Sequence, residues 1–167
     1  PKGHFKDWKR DDWIRAIDQN MLTSIEMIKA VIDSMVMNKF GRIVNITSGS
    51  VKSPIPELGL SNGARSGLTG FVAGIAREYA QYNVTINNLL PGQFNTARIE
   101  NLIESRAKEE GIAPQKLRAT LERENPSRRL GEIAEFGFAC AWICSAHSGY
   151  LVGQNILLDG GVFNSTH

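Results

Sequence analysis

At 167 residues, with 42% hydrophobic and 22% charged residues, the chain can bury one core and has the composition of a soluble globular domain. Its net charge of +2 is spread along the chain with no basic stripe, and no apolar run approaches the length of a membrane span. Neither a nucleic-acid surface nor a transmembrane helix is therefore expected, and the opening Pro-Lys-Gly-His carries no secretory pattern and no initiating Met.

Residues 11–38 read as one long helix, whose acidic start at Asp11 and Asp12 suits the positive end of the helix dipole. Trp13, Ile17, Leu22, Ile25, Ile28, Ile32 and Met35 supply one apolar face. Ile14, Met21, Met27, Val31 and Val36 widen it, which predicts burial against a sheet on one side and a second subunit on the other. Gly41 is expected to end that helix, and RIVNIT (42–47) follows as a continuous apolar run, the signature of a central strand. The loop over 49–59 contains Pro54 and Pro56 and is predicted to be non-helical. A helix over about 62–81 carries Leu68, Phe71, Val72, Ile75 and Tyr79 at helical spacing. Asn83 marks its end, and VTINNLL (84–90) is the next strand, closed by Pro91 and Gly92.

From 98 to 128 the texture changes to charged sequence with few large apolar residues. This segment predicts two short amphipathic helices, broken at 111–114, lying over the body as a lid. Ile133 to Cys144 reads as a buried helix, and QNILLDGG (154–161) as the last strand with its turn. Cys140 and Cys144, the two cysteines, sit four apart on that apolar helix. That spacing suits neither a disulfide nor a complete metal site, so they read as packed core thiols, compatible with a reducing compartment.

Strands alternating with helices imply right-handed crossovers and a parallel sheet, an α/β fold. Three strands alone leave a long apolar edge unpaired, so a further strand is expected on the N-terminal side.

Ser48 falls at the carboxyl end of RIVNIT, where open α/β sheets place their ligand sites. Ser61 and Arg65 follow at i and i+4, on one face of the next helix. A strand-end serine followed by this pair and then Gly67-Leu68 resembles the active-site segment of the short-chain dehydrogenase/reductase family. There the serine precedes Tyr-x-x-x-Lys, and aligned on Gly67 and Leu68 the Tyr position holds Ser61 and the Lys position Arg65. Other stretches fall in the same family's order. AIDQNMLT resembles the helix carrying the family's Asn, at Asn20, and NVTINNLLPGQFNT resembles its strand and PG-x-x-x-T loop, with Pro91, Gly92 and Thr96. RRLGEIAE resembles the stretch before the penultimate helix, with Ile133 in place of a proline. SGYLVGQNILLDGG resembles the family's closing segment, with Gly153, Asp159, Gly160 and Gly161. The family's T-G-x-x-x-G-x-G and N-N-A-G are not in these residues.

The resemblance implies the C-terminal part of a Rossmann-like doubly wound parallel sheet with a helical substrate lid at 98–128. Residues 1–167 are then expected to form a single, incomplete domain lacking its N-terminal βαβ, part of a longer enzyme and inactive alone. The implied activity is interconversion of a hydroxyl and a carbonyl, a 3-oxoacyl thioester being one candidate, with NAD or NADP. A cytoplasmic homo-oligomer, a tetramer, is implied as well. The catalytic positions are Asn20, Ser48, Ser61 and Arg65, and the cofactor-binding positions Arg65, Pro91, Gly92 and Thr96. Which cofactor is preferred would be decided outside these residues.

In the family's chemistry a phenol passes the proton, and a lysine holds the ribose and lowers that phenol's pKa. Ser61 is a far weaker acid, and each unfavourable pKa unit costs about 1.4 kcal/mol. Arg65 keeps the positive charge but does not carry protons. A Ser–Arg site would reduce slowly with water as the acid, with Arg65 polarising the carbonyl. The alternative is a disabled binding or scaffold subunit, and a weaker one a ligand-sensing module. The plain structural readings also stay open: Ser61 and Thr96 as helix caps, Arg65 as a surface ion-pair residue, Ser48 as a strand-end hydroxyl, Asn20 as a helix-interior amide bonded to backbone.

Overall fold

In the computed structural model, which describes residues 2–166, three parallel strands form one sheet. They are β1 (Gly41–Ile46), β2 (Val84–Pro91) and β3 (Asn155–Leu158), in the spatial order β1-β2-β3. Seven of the eight residues of β2 are buried. On one face Val84 and Ile86 pack with Ile28, Ile32, Leu68, Val72 and Ala76, the main apolar cluster. Each such side chain contributes roughly 1.5–3 kcal/mol relative to exposure.

The Asn-Asn pair inside this buried strand has a physical reason. Asn45, Asn88 and Asn155 stand in register across the three strands, joined by Asn45 Nδ2 to Asn88 Oδ1 at 3.2 Å and Asn88 Nδ2 to Asn155 Oδ1 at 2.7 Å. Asn87 donates to the Leu151 carbonyl at 2.8 Å and accepts from the Gln154 amide at 2.9 Å. Buried amides are thereby satisfied, and the loop before β3 is fixed.

The N-terminal helix comes in three pieces: α1 (Arg10–Ile17), a π turn (Asp18–Leu22) and α2 (Thr23–Met37). Only Ile28 and Ile32 of these are buried, while Ile14, Met27 and Met37 are exposed. The helix terminates before Gly41, where Lys39 turns the chain at φ 51°.

α3 (Gly59–Ala80) packs against that helix through a seam of small residues. A Cβ on Gly59 would lie 2.5 Å from the Trp8 ring, one on Gly63 3.2 Å from Trp13, and one on Gly67 2.9 Å from the Met21 sulfur. These glycines let the π turn and α1 lie directly on α3. After β2 come α4 (Ala97–Glu110) and α5 (Pro114–Glu124), joined through Gly111 at φ 66°. They form a satellite core of Ile99, Ile103, Ala107 and Leu117 with Leu130, as the amphipathic pattern of 98–128 predicts. α6 (Ile133–Ile143) precedes β3.

Several expectations are corrected. β1 is an edge strand of this sheet, mostly half-buried, and β2 takes the central place. The loop over 49–59 contains two short 3-10 turns, Gly49–Val51 and Pro56–Leu58, and α3 begins at Gly59. α6 is not buried: Ile133, Phe138 and Trp142 are exposed, and Ile143 alone is fully covered. Its apolar residues surround the helix, and the sheet covers one side. Cys140 is accordingly half-buried and Cys144 exposed, not packed core thiols. Burial and the neighbouring Cys140 nonetheless push the Cys144 thiol pKa up. Among the described residues no helix is long and apolar enough to cross a membrane.

Candidate active site

The carboxyl edge of the sheet gathers three chain segments. β1 ends at Ile46, and Thr47 continues its pairing by donating its N–H to the Leu89 carbonyl at 3.0 Å. Ser48 then turns the chain, its Oγ accepting from the Ser50 N–H at 3.1 Å. A Cβ on Gly49 would stand 3.2 Å from the Pro91 carbonyl oxygen, so the turns after β1 and β2 touch. Gly92 donates to the Leu158 carbonyl at 2.8 Å, and a Cβ there would meet the Asp159 Cβ at 2.6 Å. Only glycine fits that crossing.

Ser61 is the third residue of α3 and does not cap it; Leu58 holds the cap position. Its hydroxyl accepts from Arg65 Nε at 3.2 Å. Arg65 Nη1 reaches back to the sheet and donates to the carbonyls of Ile46 at 3.1 Å and Thr47 at 3.0 Å. The i, i+4 spacing explains the first contact, and the packing of α3 on β2 and on the turn after β1 the second. Arg65 is therefore not a freely solvated residue: three carbonyl and hydroxyl oxygens fix its fork. Among the described residues nothing accepts from Nη2. Partial burial, and then the charge of Arg98, push the Arg65 pKa down.

Asn20 lies in the π turn, where Thr23 N–H reaches back five residues to the Asp18 carbonyl. Its Nδ2 donates to the Ala16 carbonyl at 3.0 Å, which leaves its oxygen free among the described residues. The turn packs on α3, but Asn20 makes no hydrogen bond to Ser48, Ser61 or Arg65. Thr96 caps α4, its Oγ1 accepting from the Ile99 N–H at 3.4 Å. The structure thus joins Ser61 and Arg65 directly, ties both to the residues just before Ser48, and sets Pro91 against the same turn. Asn20 and Thr96 instead bond within their own helices, to the Ala16 carbonyl and from the Ile99 N–H.

Two features escaped the sequence reading. Arg98, in the first turn of α4, carries the charge felt at Arg65, and only the fold brings those positions together. The π turn at Asn20 has no composition signal; a helix-interior Asn was its one trace.

A parallel sheet wrapped by helices, with a strand-end serine and a helix-borne hydroxyl–cation pair at its carboxyl edge, is the architecture of the short-chain dehydrogenases/reductases. The chain belongs to that family: its residues 1–163 match a family model described as Enoyl-(Acyl carrier protein) reductase. Among its relatives, an acetoacetyl-CoA reductase of Cupriavidus necator is 34% identical over 95% of this chain and 60% of its own length. A 3-oxoacyl-[acyl-carrier-protein] reductase, FabG, of Haemophilus influenzae is 30% identical over 94% of this chain and 60% of its own. The crystal structure of YwfH, an NADPH-dependent reductase involved in bacilysin biosynthesis, superposes with a TM-score of 0.91 at 27% identity, covering 99% of this chain and 63% of that one. The chain spans about 60% of the length of the curated relatives it matches.

Proposed function

We propose that the protein is an NAD(P)(H)-dependent oxidoreductase interconverting a hydroxyl and a carbonyl, with its chemistry at Ser48, Ser61 and Arg65. The observation that carries this reading is Arg65: a guanidinium fixed by two strand-end carbonyls and Ser61, with Nη2 still to offer, immediately beside Ser48. Reductases among the relatives support the same reaction type.

The Pro91-Gly92 turn and Thr96 at the strand end would hold the nicotinamide end of such a cofactor, and Arg65, its fork already spent on Ser61, Ile46 and Thr47, would serve either the ribose or the substrate carbonyl through Nη2. When bound, the cofactor supplies or accepts the hydride. Ser48 Oγ accepts from the Ser50 amide, and its O–H is left to donate a hydrogen bond to the substrate oxygen. Arg65 stabilises negative charge developing on that oxygen, a role that needs no proton transfer. Ser61 holds Arg65 in place; its alkyl hydroxyl is too weak an acid to replace a phenol, so water supplies the proton, with Asn20 Oδ1 available to order it. Residues 98–128, which hold most of α4 and all of α5, serve as the substrate lid of the single domain. The exposed apolar faces of α2 and α6 support a homotetramer, and the enzyme is read as cytoplasmic.

Steady-state oxidation of NADH and NADPH by the whole protein over a panel of ketones and 3-oxoacyl thioesters tests the reading. Turnover is expected, and Ser48→Ala is expected to lower kcat/KM about a hundredfold, the usual effect of losing one oxyanion donor. Absence of turnover with both cofactors, or a Ser48→Ala variant equal to wild type, would sink it.

A further inference from the structure

Among the described residues the Ser48 side chain has one hydrogen-bond partner, the Ser50 N–H at 3.1 Å. Ser50 stands in the short turn Gly49–Val51, which touches both α3 and β2, and it is buried at 3% exposure. Its own Oγ is nevertheless without a hydrogen-bond partner among the described residues. A buried hydroxyl in that state destabilises a fold, and native structures keep few of them without a reason. An alanine at position 50 would retain the N–H that holds Ser48 and remove that cost, so packing alone does not explain the serine. Unpartnered buried atoms also occur on Trp8, Thr47, Asn62 and Thr85, but none of those residues bonds the Ser48 side chain. Ser50 alone combines the two conditions.

We infer that Ser50 is a positioning residue for Ser48, and that its hydroxyl binds an internal water that donates to Ser48 Oγ. Three covalent bonds separate the Ser50 Oγ from the nitrogen that touches Ser48, and no direct bond joins the two hydroxyls. They therefore stand within about two hydrogen-bond lengths of each other, the span of one bridging water. Ser48 Oγ has room for it: one lone pair takes the Ser50 amide, the O–H is left for the substrate oxygen, and a second lone pair remains. Ser48 and Ser50 give the water two polar partners, which is enough to hold it in a buried site. A row of donors running from this water through Ser48 to the substrate polarises the last hydrogen bond, and that bond matters most when charge develops on the substrate oxygen. Ser50 thus acts through Ser48 by two routes, its N–H fixing the oxygen and its hydroxyl strengthening the donor. This inference rests on the carbonyl-reduction reading, in which Ser48 faces the substrate oxygen.

High-resolution crystallography of the whole protein and its Ser50→Ala variant tests the water site without requiring turnover. A water within hydrogen-bond distance of both Ser48 Oγ and Ser50 Oγ is expected in the wild type and should be gone from the variant. Thermal unfolding and steady-state kinetics of the same pair test its role. Ser50→Ala is expected to melt no lower than wild type, and to lose about tenfold in kcat with KM within about twofold, the scale of one hydrogen bond felt in the transition state. A Ser50 Oγ bonded directly to protein with no such water, or an unchanged kcat in Ser50→Ala, overturns the inference. So does a variant that melts lower and loses through KM alone, which would make Ser50 a packing residue. Turnover by an enzyme without the water removes this inference alone. The bridging water in a protein that reduces no carbonyl would instead remove the reductase reading and leave the water site standing.

Discussion

At the scale of single residues, the chemistry turns on what replaces a phenol and an ammonium. Ser61 and Arg65 touch each other, and Arg65 also closes two carbonyls at the end of β1. Arg65→Met should therefore cost stability as well as turnover, about 1–3 kcal/mol for strand-end carbonyls left without their donor. Urea denaturation measures this, and an unchanged midpoint would show that water replaces the fork without loss. Installing a phenol and an ammonium together, as Ser61→Tyr with Arg65→Lys, supplies a general acid and is expected to raise the reduction rate at least about tenfold. A fall in rate would mean that the present pair forms a working site of its own kind. Away from the site, Glu135 accepts both Arg129 nitrogens at 2.6 Å and the Glu132 N–H at 2.8 Å. The Arg129 hydrogen bonds first, and that backbone bond second, hold its pKa down at about 2. A carboxylate lowered in the folded state adds stability above its ordinary range, and that contribution disappears as pH falls through about 2. Carboxyl NMR titration should find Glu135 near that value and Arg129→Gln should return it to the usual glutamate range; an ordinary glutamate pKa in the wild type would refute the pairing.

At the scale of elements, α3 organises the site, because it carries Ser61 and Arg65 and receives the π turn. Its glycines divide into two kinds. Gly59, Gly63 and Gly67 face Trp8, Trp13 and Met21 at close range, whereas a Cβ on Gly70 or Gly74 meets nothing within 4 Å. Gly74→Ala is therefore expected to stabilise the protein by about 1 kcal/mol through helix propensity. Gly59→Ala should destabilise it by about 1–3 kcal/mol, since Trp8 has to move. Thermal unfolding of the two variants measures the contrast, and shifts of the same sign would contradict the seam. The helical spacing of Gly59, Gly63 and Gly67 is visible in the sequence, but which face of α3 meets a neighbour is decided only by packing.

At the scale of the whole molecule, apolar surface is left over. Ile133, Phe138 and Trp142 on α6 and Ile14, Met27 and Val31 on the N-terminal helix are exposed. Two separate apolar faces on one chain predict assembly through both, and light scattering should return a multiple of the 18.4 kDa chain mass. A strict monomer at micromolar concentration would leave those faces without a role. The free edge of β1, with Ile46 half exposed, is the other unsatisfied feature, and the strand count of the sequence already pointed to it.

The sequence by itself determined the alternation of strands and helices, the parallel sheet, the two helices over 98–128 and the family segments around Ser48, Ser61 and Arg65. Periodicity, turn residues and motif spacing are local quantities, and one chain carries them in full. It misjudged α6 as buried because an apolar residue looks the same whether a sheet, a partner or solvent lies against it. The tertiary structure alone decided that Arg65 would spend Nε and Nη1 on Ser61 and β1 and keep Nη2 free. It also decided that Asn45, Asn88 and Asn155 would form one ladder. Such encounters depend on how elements cross in space, and no local pattern encodes the crossing.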